Sequence, residues 1–316
     1  TYKSPSIKQQ ERQRRGQDDV AYSITGSHQK RPRDWQNALK SPAFKMAFFQ
    51  FLAKEWRDDK NWNILTNHKV YLTTDDECYC FTADGNKVSF EVSEYACQQE
   101  EADTKIIYHL NKACMTSPDD NYVVRCNDTD VLVLLLYHGS HFRVTPNLWM
   151  DAGLSGNNTR RYINITLLMQ HMEPKLIDAL PGFHAFTGSD FTASFMNKGK
   201  IKPFKTMIKS ESHTDAMSKL GNEDEVTDEL YEAIEGFVCA MYGRPQIKKV
   251  NDARYAIFQQ SYAPRKASDP LSKIKGINPS SMPPCSKVLS KKIDRSNYAV
   301  SLWKCATRPS RPTANP

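Results

Sequence analysis

At 316 residues the chain is long enough for a full-sized core, either one large domain with a C-terminal extension or two unequal domains. Its composition excludes several classes: no run of 18 apolar residues exists to span a membrane, and the eight cysteines are scattered, forming neither a CxxC pair nor a small disulfide scaffold. Formal charge is +7, yet from Gly243 onward 15 Lys and Arg face 3 Asp and Glu, a balance of +12 that leaves −5 on residues 1–242.

Residues 1–35 are polar and charged without a sustained apolar period, which reads as a basic N-terminal arm. Lys3, Lys8, Arg12, Arg14 and Arg15 are not followed by the apolar stretch of a signal peptide, so the expected address is intracellular, with the nucleus favoured over the cytoplasm by Arg12-Gln13-Arg14-Arg15. The abrupt start at Thr1-Tyr2 suggests a chain that begins inside a domain. Ser41-Pro42 is a helix start signal, and Phe44, Phe48, Phe51, Leu52 and Trp56 follow at helical spacing as a core-facing stripe. Beyond Asp58-Asp59 the period shortens to that of strands: Lys69–Thr74, then Tyr79–Ala83 and Lys87–Val92 around a tight Asp84-Gly85-Asn86 turn.

A helix is predicted from near Glu101, with Ile106, Ile107, Leu110 and Cys114 on one side. Tyr122–Cys126 is a strand by its β-branched content, whereas Val131–Leu136 fits a strand or a buried helix equally well. Asn147–Asp151 and Arg160–Ile165 read as strands about a turn-rich link; Leu167–His171 and Leu176–Leu180 read as helical pieces broken at Pro174 and Pro181. Residues 206–223 are polar and weakly patterned, a predicted loop. A helix over Glu225–Tyr242 stops at Gly243 before Pro245, a proline-rich linker follows over 263–284, and Ser286–Cys305 forms a last basic helix. Alternating strands and helices predict an α/β fold with a mainly parallel sheet and a helical basic C-terminal extension.

Three acidic sites stand at the ends of these elements: Glu100-Glu101-Ala102-Asp103 at a helix head, Asp128-Thr129-Asp130 after a strand, and Thr187-Gly188-Ser189-Asp190 in a turn. Each alone suits a cap or a turn. Together, carboxylates brought into an apolar region repel unless a cation or proton lies between them. In open α/β sheets ligands gather at the carboxyl ends of strands, and Asp128 and Asp130, two apart in extended backbone, would project to one side there. Glu101 and Asp103 can share a site only if Glu101 precedes the first helical turn. An all-oxygen set favours Mg²⁺ or Mn²⁺, and two such ions support phosphodiester hydrolysis without a Ser or His nucleophile. His171 and His184 lie close by in sequence and read as structural.

The ordered motifs Glu101-Ala102-Asp103, Asp128-Thr129-Asp130 and Gly188-Ser189-Asp190 resemble the acidic signature of the flap endonuclease and XPG-type nucleases, which share a PIN-like fold. That resemblance covers roughly residues 65–200. It implies a PIN-like three-layer nuclease domain over 36–242 with its core at 65–200, metal ligands at Glu101, Asp103, Asp128, Asp130 and Asp190, Mg²⁺ or Mn²⁺ as cofactor, and a nucleic acid, not a membrane, as partner. Two departures stand out. The family draws further acids from its first strand and from a strand ahead of the helix pair, and Asp75 and Asp76 are candidates for one of these two gaps only; its Gly-x-Gly helical motif after the last Asp is replaced by Phe191–Lys200. Lys198, Lys200, Lys202 and Lys205 remain to contact phosphates without reading sequence. The expected function is a metal-dependent, structure-specific nuclease; the second reading is a nucleic-acid-binding scaffold with a decayed site. A third, an aspartyl-nucleophile phosphatase using Asp128 and Asp130, lacks the usual placement near the chain start.

Overall fold

Short polar caps, prolines at first helical turns and a few tightly packed glycines set the element boundaries of a computed structural model that describes residues 22–39, 41–73, 77–99, 101–154, 156, 158–262 and 278–310. The N-terminal arm up to residue 21, Glu100, Asp75 and Asp76, and residues 263–277 of the proline-rich stretch lie outside the described residues. Two compact units emerge. The first covers the described chain up to Lys112 and takes back a short piece beginning at Arg308; the second covers Ala113–Thr307.

In the first unit α1 (Trp35–Ala38) and α2 (Pro42–Glu55) open on side-chain caps from Asp34 and Ser41, with Pro42 at the first helical position where its missing N–H costs nothing. Phe44 of α2 is buried and meets Trp35 and Tyr22 edge-on, whereas Phe48, Phe51, Leu52 and Trp56 of the predicted stripe are half-buried, Leu52 and Trp56 against the core of this unit. A 3₁₀ turn (Asp59–Asn61) and α3 (Trp62–Leu65) lead to β1 (Val70–Thr73), β2 (Cys78–Asp84) and β3 (Lys87–Val92). These three form an antiparallel sheet in chain order, with Asp84 opposite Lys87 and Gly85 at φ +56° in the turn between them. Leu72 and Phe81 bury their side chains against Ala53 and Leu65, forming the core of this unit. The next helix, α4 (Ala102–Thr116), carries the chain across the boundary at Lys112.

The second unit contains β4 (Asn121–Arg125), α5 (Thr129–His141), β5 (Asn147–Ala152) and β6 (Arg161–Asn164). β4 pairs parallel with β5, and β5 antiparallel with β6. Among the described residues seven helices follow: α6 (Ile165–His171), α7 (Pro174–Thr187), α8 (Ile201–Met207), α9 (Glu211–Lys219), α10 (Asp228–Met241), α11 (Val250–Tyr262) and, after a 3₁₀ turn at Pro279–Ser281, α12 (Ser286–Lys304).

The expected three-layer, PIN-like domain with a mainly parallel central sheet is therefore corrected: among the described residues there are two small three-stranded sheets, one antiparallel and one mixed. The reason lies in the connections. Parallel neighbours need a crossover of about a dozen residues, whereas short links return the chain antiparallel. Among the described strands only β4 and β5 pair parallel, joined by a crossover in which Val131–Leu136 belongs to α5 instead of forming a strand.

Three further expectations change. The predicted loop over 206–223 contains α9, which packs against α7. Pro181 does not break α7 but sits buried inside it, while Pro174 starts the helix at its first turn. The C-terminal helix is no appendage. α12 buries Leu289, Ile293, Val300 and Trp303, packs on α7, and accepts the His138 Nε2 proton of α5 at the Trp303 carbonyl, 2.8 Å away. Burial pushes His138 down to about 4, so this imidazole is neutral in the folded protein at ordinary pH.

Candidate functional site

Each acidic pair occupies the same local position on its helix. The Asp128 backbone is extended, its Oδ1 accepts from the Asp130 N–H at 3.0 Å, and Thr129 begins α5, so Asp128 is the N-cap and Asp130 lies in the first turn. Only three residues, 126–128, separate the end of β4 from the start of α5. The expectation that Asp128 and Asp130 share one side of an extended segment is overturned. On α4 the Glu101 carbonyl accepts from the Lys105 N–H at 3.1 Å, which places Glu101 at the cap and Asp103, buried, at the second helical position. Glu101 thus does precede the first turn. Carboxylates at these positions face the positive end of the helix dipole, which favours their charged form.

Glu101 and Asp103 belong to the first unit, and Asp128, Asp130 and Asp190 to the second. Within the second unit Asp130 is 5% exposed. His184 of α7 donates its Nε2 proton to Asp130 Oδ1 at 2.8 Å, while Asp130 Oδ2 is buried with no hydrogen-bond partner among the described residues. A carboxylate oxygen in that state carries a desolvation cost that a bound cation offsets, since burying a charge is expensive unless it is paired. α7 ends at Gly188, whose φ of +123° and whose approach to Ser194 leave no room for a Cβ: one would stand 2.8 Å from the Ser194 Cα. Paired backbone bonds between Ser189 and Thr192 then close a turn that holds Asp190 exposed.

Lys200 fastens this turn. Its ammonium donates to the His184 carbonyl at 2.8 Å, the Thr187 Oγ1 at 3.0 Å and the Gly188 carbonyl at 2.7 Å, satisfying acceptors that the end of α7 leaves open. Burial pushes Lys200 down to about 8, and the Asp130 charge acts in the opposite sense. α12 supplies two more fasteners: Lys292 donates to the Ala193 carbonyl, and Arg295 Nε to the Phe191 carbonyl at 3.2 Å. Of the other lysines expected to meet phosphates, Lys198 is half-buried over the Tyr242 ring, and Lys202 and Lys205 are exposed on α8.

At the carboxyl end of the parallel strand pair, Asp151 of β5 is buried between two guanidiniums, Arg125 Nη1 at 2.9 Å and Arg160 Nη2 at 2.8 Å, which hold its carboxyl below the usual range. Asn127 Oδ1 accepts from the Gly153 N–H, tying the link ahead of Asp128 to the end of β5. Asp151 and its two arginines escaped the sequence reading because pairing across strands leaves no mark in local spacing. The structural reading of His184 is compatible with its burial, but its partner, Asp130, was not legible in the sequence.

Among the described residues no group of three or more His, Cys, Asp and Glu side chains is arranged to hold a metal ion. Asp130 Oδ2 is left without a hydrogen-bond partner among the described residues, while His184 Nε2 occupies Oδ1 and the Lys200 charge acts on the same carboxylate. Compared with protein-family models, curated proteins and solved structures, the chain matches none of them.

Proposed function

We propose that this chain is a metal-dependent, structure-specific nuclease-like protein that hydrolyses phosphodiester bonds of DNA or RNA, related through its acidic signature to the flap endonuclease and XPG-type nucleases. The observation that carries the reading is the Asp130 carboxylate: buried at the carboxyl end of a parallel strand pair, held at one oxygen by His184 and without a hydrogen-bond partner among the described residues at the other. It is the acidic signature, not a shared cluster of side chains, that assigns Asp128, Asp130 and Asp190 of the second unit to Mg²⁺ or Mn²⁺. Such ions, when bound, activate water and stabilise a leaving phosphate oxygen. The protein's own part is to keep Asp130 oriented and dry, to turn the chain at Gly188 so that Asp190 stays exposed, and to offer Lys202 and Lys205 to the sugar-phosphate backbone.

A second reading, nucleic-acid binding without cleavage, rests on the fact that Asp128 Oδ1 already caps α5 and Asp130 Oδ1 already accepts from His184. A labelled-oligonucleotide assay with Mg²⁺ or Mn²⁺ separates the two, using wild type and Asp130→Asn, which keeps an acceptor for His184. The expected result is metal-dependent cutting that falls to roughly a hundredth or less in the variant, as befits loss of a charged ligand to a catalytic ion. Salt-sensitive binding with no cutting would establish the scaffold instead. Cutting that survives the substitution would remove Asp130 from the chemistry.

A further inference from the structure

The second unit leaves one face of its sheet open. Leu148 and Met150 of β5 are buried on the core side, so the residues that alternate with them, Trp149 and Asp151, face the other way. Strand register sets that outward face in rows across the three strands: Val123 beside Trp149 beside Asn164, and Arg125 beside Asp151 beside Tyr162. Val123 of β4 is 57% exposed and Tyr162 of β6 56% exposed, and these are the two outer strands, so the face is open to solvent at both flanks. Trp149 lies half-buried between them, its Nε1 donating to Asn147 Oδ1 at 3.1 Å, which holds the indole in place.

Charge completes the face. Asp151 is buried beneath Arg125 and Arg160, while both guanidinium side chains stay nearly half exposed, at 47% and 46%. Two positive charges against one negative leave this corner net positive. Arg160 spends Nε and Nη2 on Asp151, which leaves its Nη1 without a partner among the described residues, and its Cζ lies 5.2 Å from the centroid of the Tyr162 ring. An apolar partner has no use for guanidiniums pinned by a buried acid. A duplex hides the base faces that these rings could meet. Proteins that hold single strands combine a positive track for the backbone with aromatic side chains on which bases stack, and this face has both. Trp149 and Tyr162 stand diagonally across the β5–β6 pair, about 7–8 Å apart at Cα, so two neighbouring bases of an extended strand can rest on them.

We propose that the outward face of the β4–β5–β6 sheet is a stacking platform for single-stranded nucleic acid, with Trp149 and Tyr162 against bases and Arg125 and Arg160 at the phosphates. The platform goes beyond the nuclease reading and needs no bound cation.

The test titrates the full chain with a labelled oligodeoxythymidylate in EDTA, where no metal-dependent cutting occurs, and repeats it with a duplex of equal length. The expected result is tighter binding of the single strand, with tryptophan emission quenched on binding and quenched less in Trp149→Phe. Tyr162→Ala and Tyr162→Leu should each weaken binding by about tenfold, and Tyr162→Phe, which keeps the ring, should stay near wild type. Arg161, exposed on the opposite face of β6, serves as the charge control, and Arg161→Ala should bind far better than Tyr162→Ala. The platform is refuted if the duplex binds as tightly as the single strand, or if both ring-less variants of Tyr162 bind like wild type. Unchanged quenching in Trp149→Phe would remove Trp149 from it. A wild-type dimer in sedimentation that Tyr162→Ala dissolves, with the oligonucleotide unbound, would give the face to a second copy of the chain and overturn the proposal. Metal-dependent cutting that persists without binding through Tyr162 would leave the nuclease reading standing alone, and binding through Tyr162 without cutting would leave the platform standing alone.

Discussion

Gly182 shows how much a single atom decides in this protein. It lies buried in α7 where α9 crosses, and a Cβ built there would stand 2.0 Å from the Met217 carbonyl oxygen. Alanine improves helix propensity by about 1 kcal/mol, whereas forcing extra volume against packed atoms costs roughly 1–3 kcal/mol. Because the obstacle is backbone and not a side chain that swings aside, the clash wins. Gly182→Ala is expected to lower the stability of the second unit by about 1 kcal/mol net, read as a lower urea midpoint at an unchanged slope. An unchanged or higher midpoint would show that α9 yields at little cost. Nothing in the sequence marks Gly182 as special, since it reads there as one more weak helix former. His184 is similar: its residue type and position are visible, but its partner lies 54 positions away on another helix.

At the scale of elements, the two acidic helix starts were legible and their consequence was not. The sequence places Asp128 at a strand end; the structure adds that it caps α5, so its carboxylate serves the fold before any ion arrives. The two duties separate by mutation. Asparagine caps as well as aspartate, while alanine costs about 1 kcal/mol. Asp128→Asn is therefore expected to unfold at the wild-type urea concentration and Asp128→Ala earlier, with metal-dependent cleavage lost in both. Full cleavage by the asparagine variant would confine Asp128 to capping. The same logic explains the misread stretch at 206–223. α9 (Glu211–Lys219) has only a few apolar residues, and Ala216 and Met217 are buried by α7 and not by any strong pattern of their own.

For the molecule as a whole, the basic excess of the C-terminal part finds a use that net charge did not reveal. Lys292 and Lys304 of α12 point inward: Lys304 donates to the Ser218 carbonyl at 2.7 Å and the Asn222 Oδ1 at 2.6 Å, and Lys292 lies over the Phe195 ring. Burial pushes both down to about 8. In the unfolded chain they titrate near 10.4. From about pH 8 to 10 these two lysines hold more protons in the unfolded chain than in the folded one, so their contribution to stability rises with pH across that window, against the smaller opposite contribution of Cys114 and Cys239, raised to about 11 when folded. Below it both states are fully charged and the burial cost is present in full. Above it tyrosines reverse the trend, Tyr71 being raised to about 12 when folded. Urea midpoints at pH 7.5 and 9.5 should differ in favour of the higher pH, and Lys292→Met should shrink the difference. A midpoint that falls over this range would contradict the buried ammonium.

The sequence by itself determined most helix positions, the antiparallel hairpin at Asp84-Gly85, and the existence of three acidic sites at element ends. These depend on caps, turns and periodicity, which act over a few residues. Tertiary structure alone decided the mixed sheet, the burial of α12 against α7, the membership of the acidic residues in two units, and the pairing of His184 with Asp130. Those outcomes turn on which surfaces meet across long separations, where connection length and the burial of apolar faces outweigh local preference.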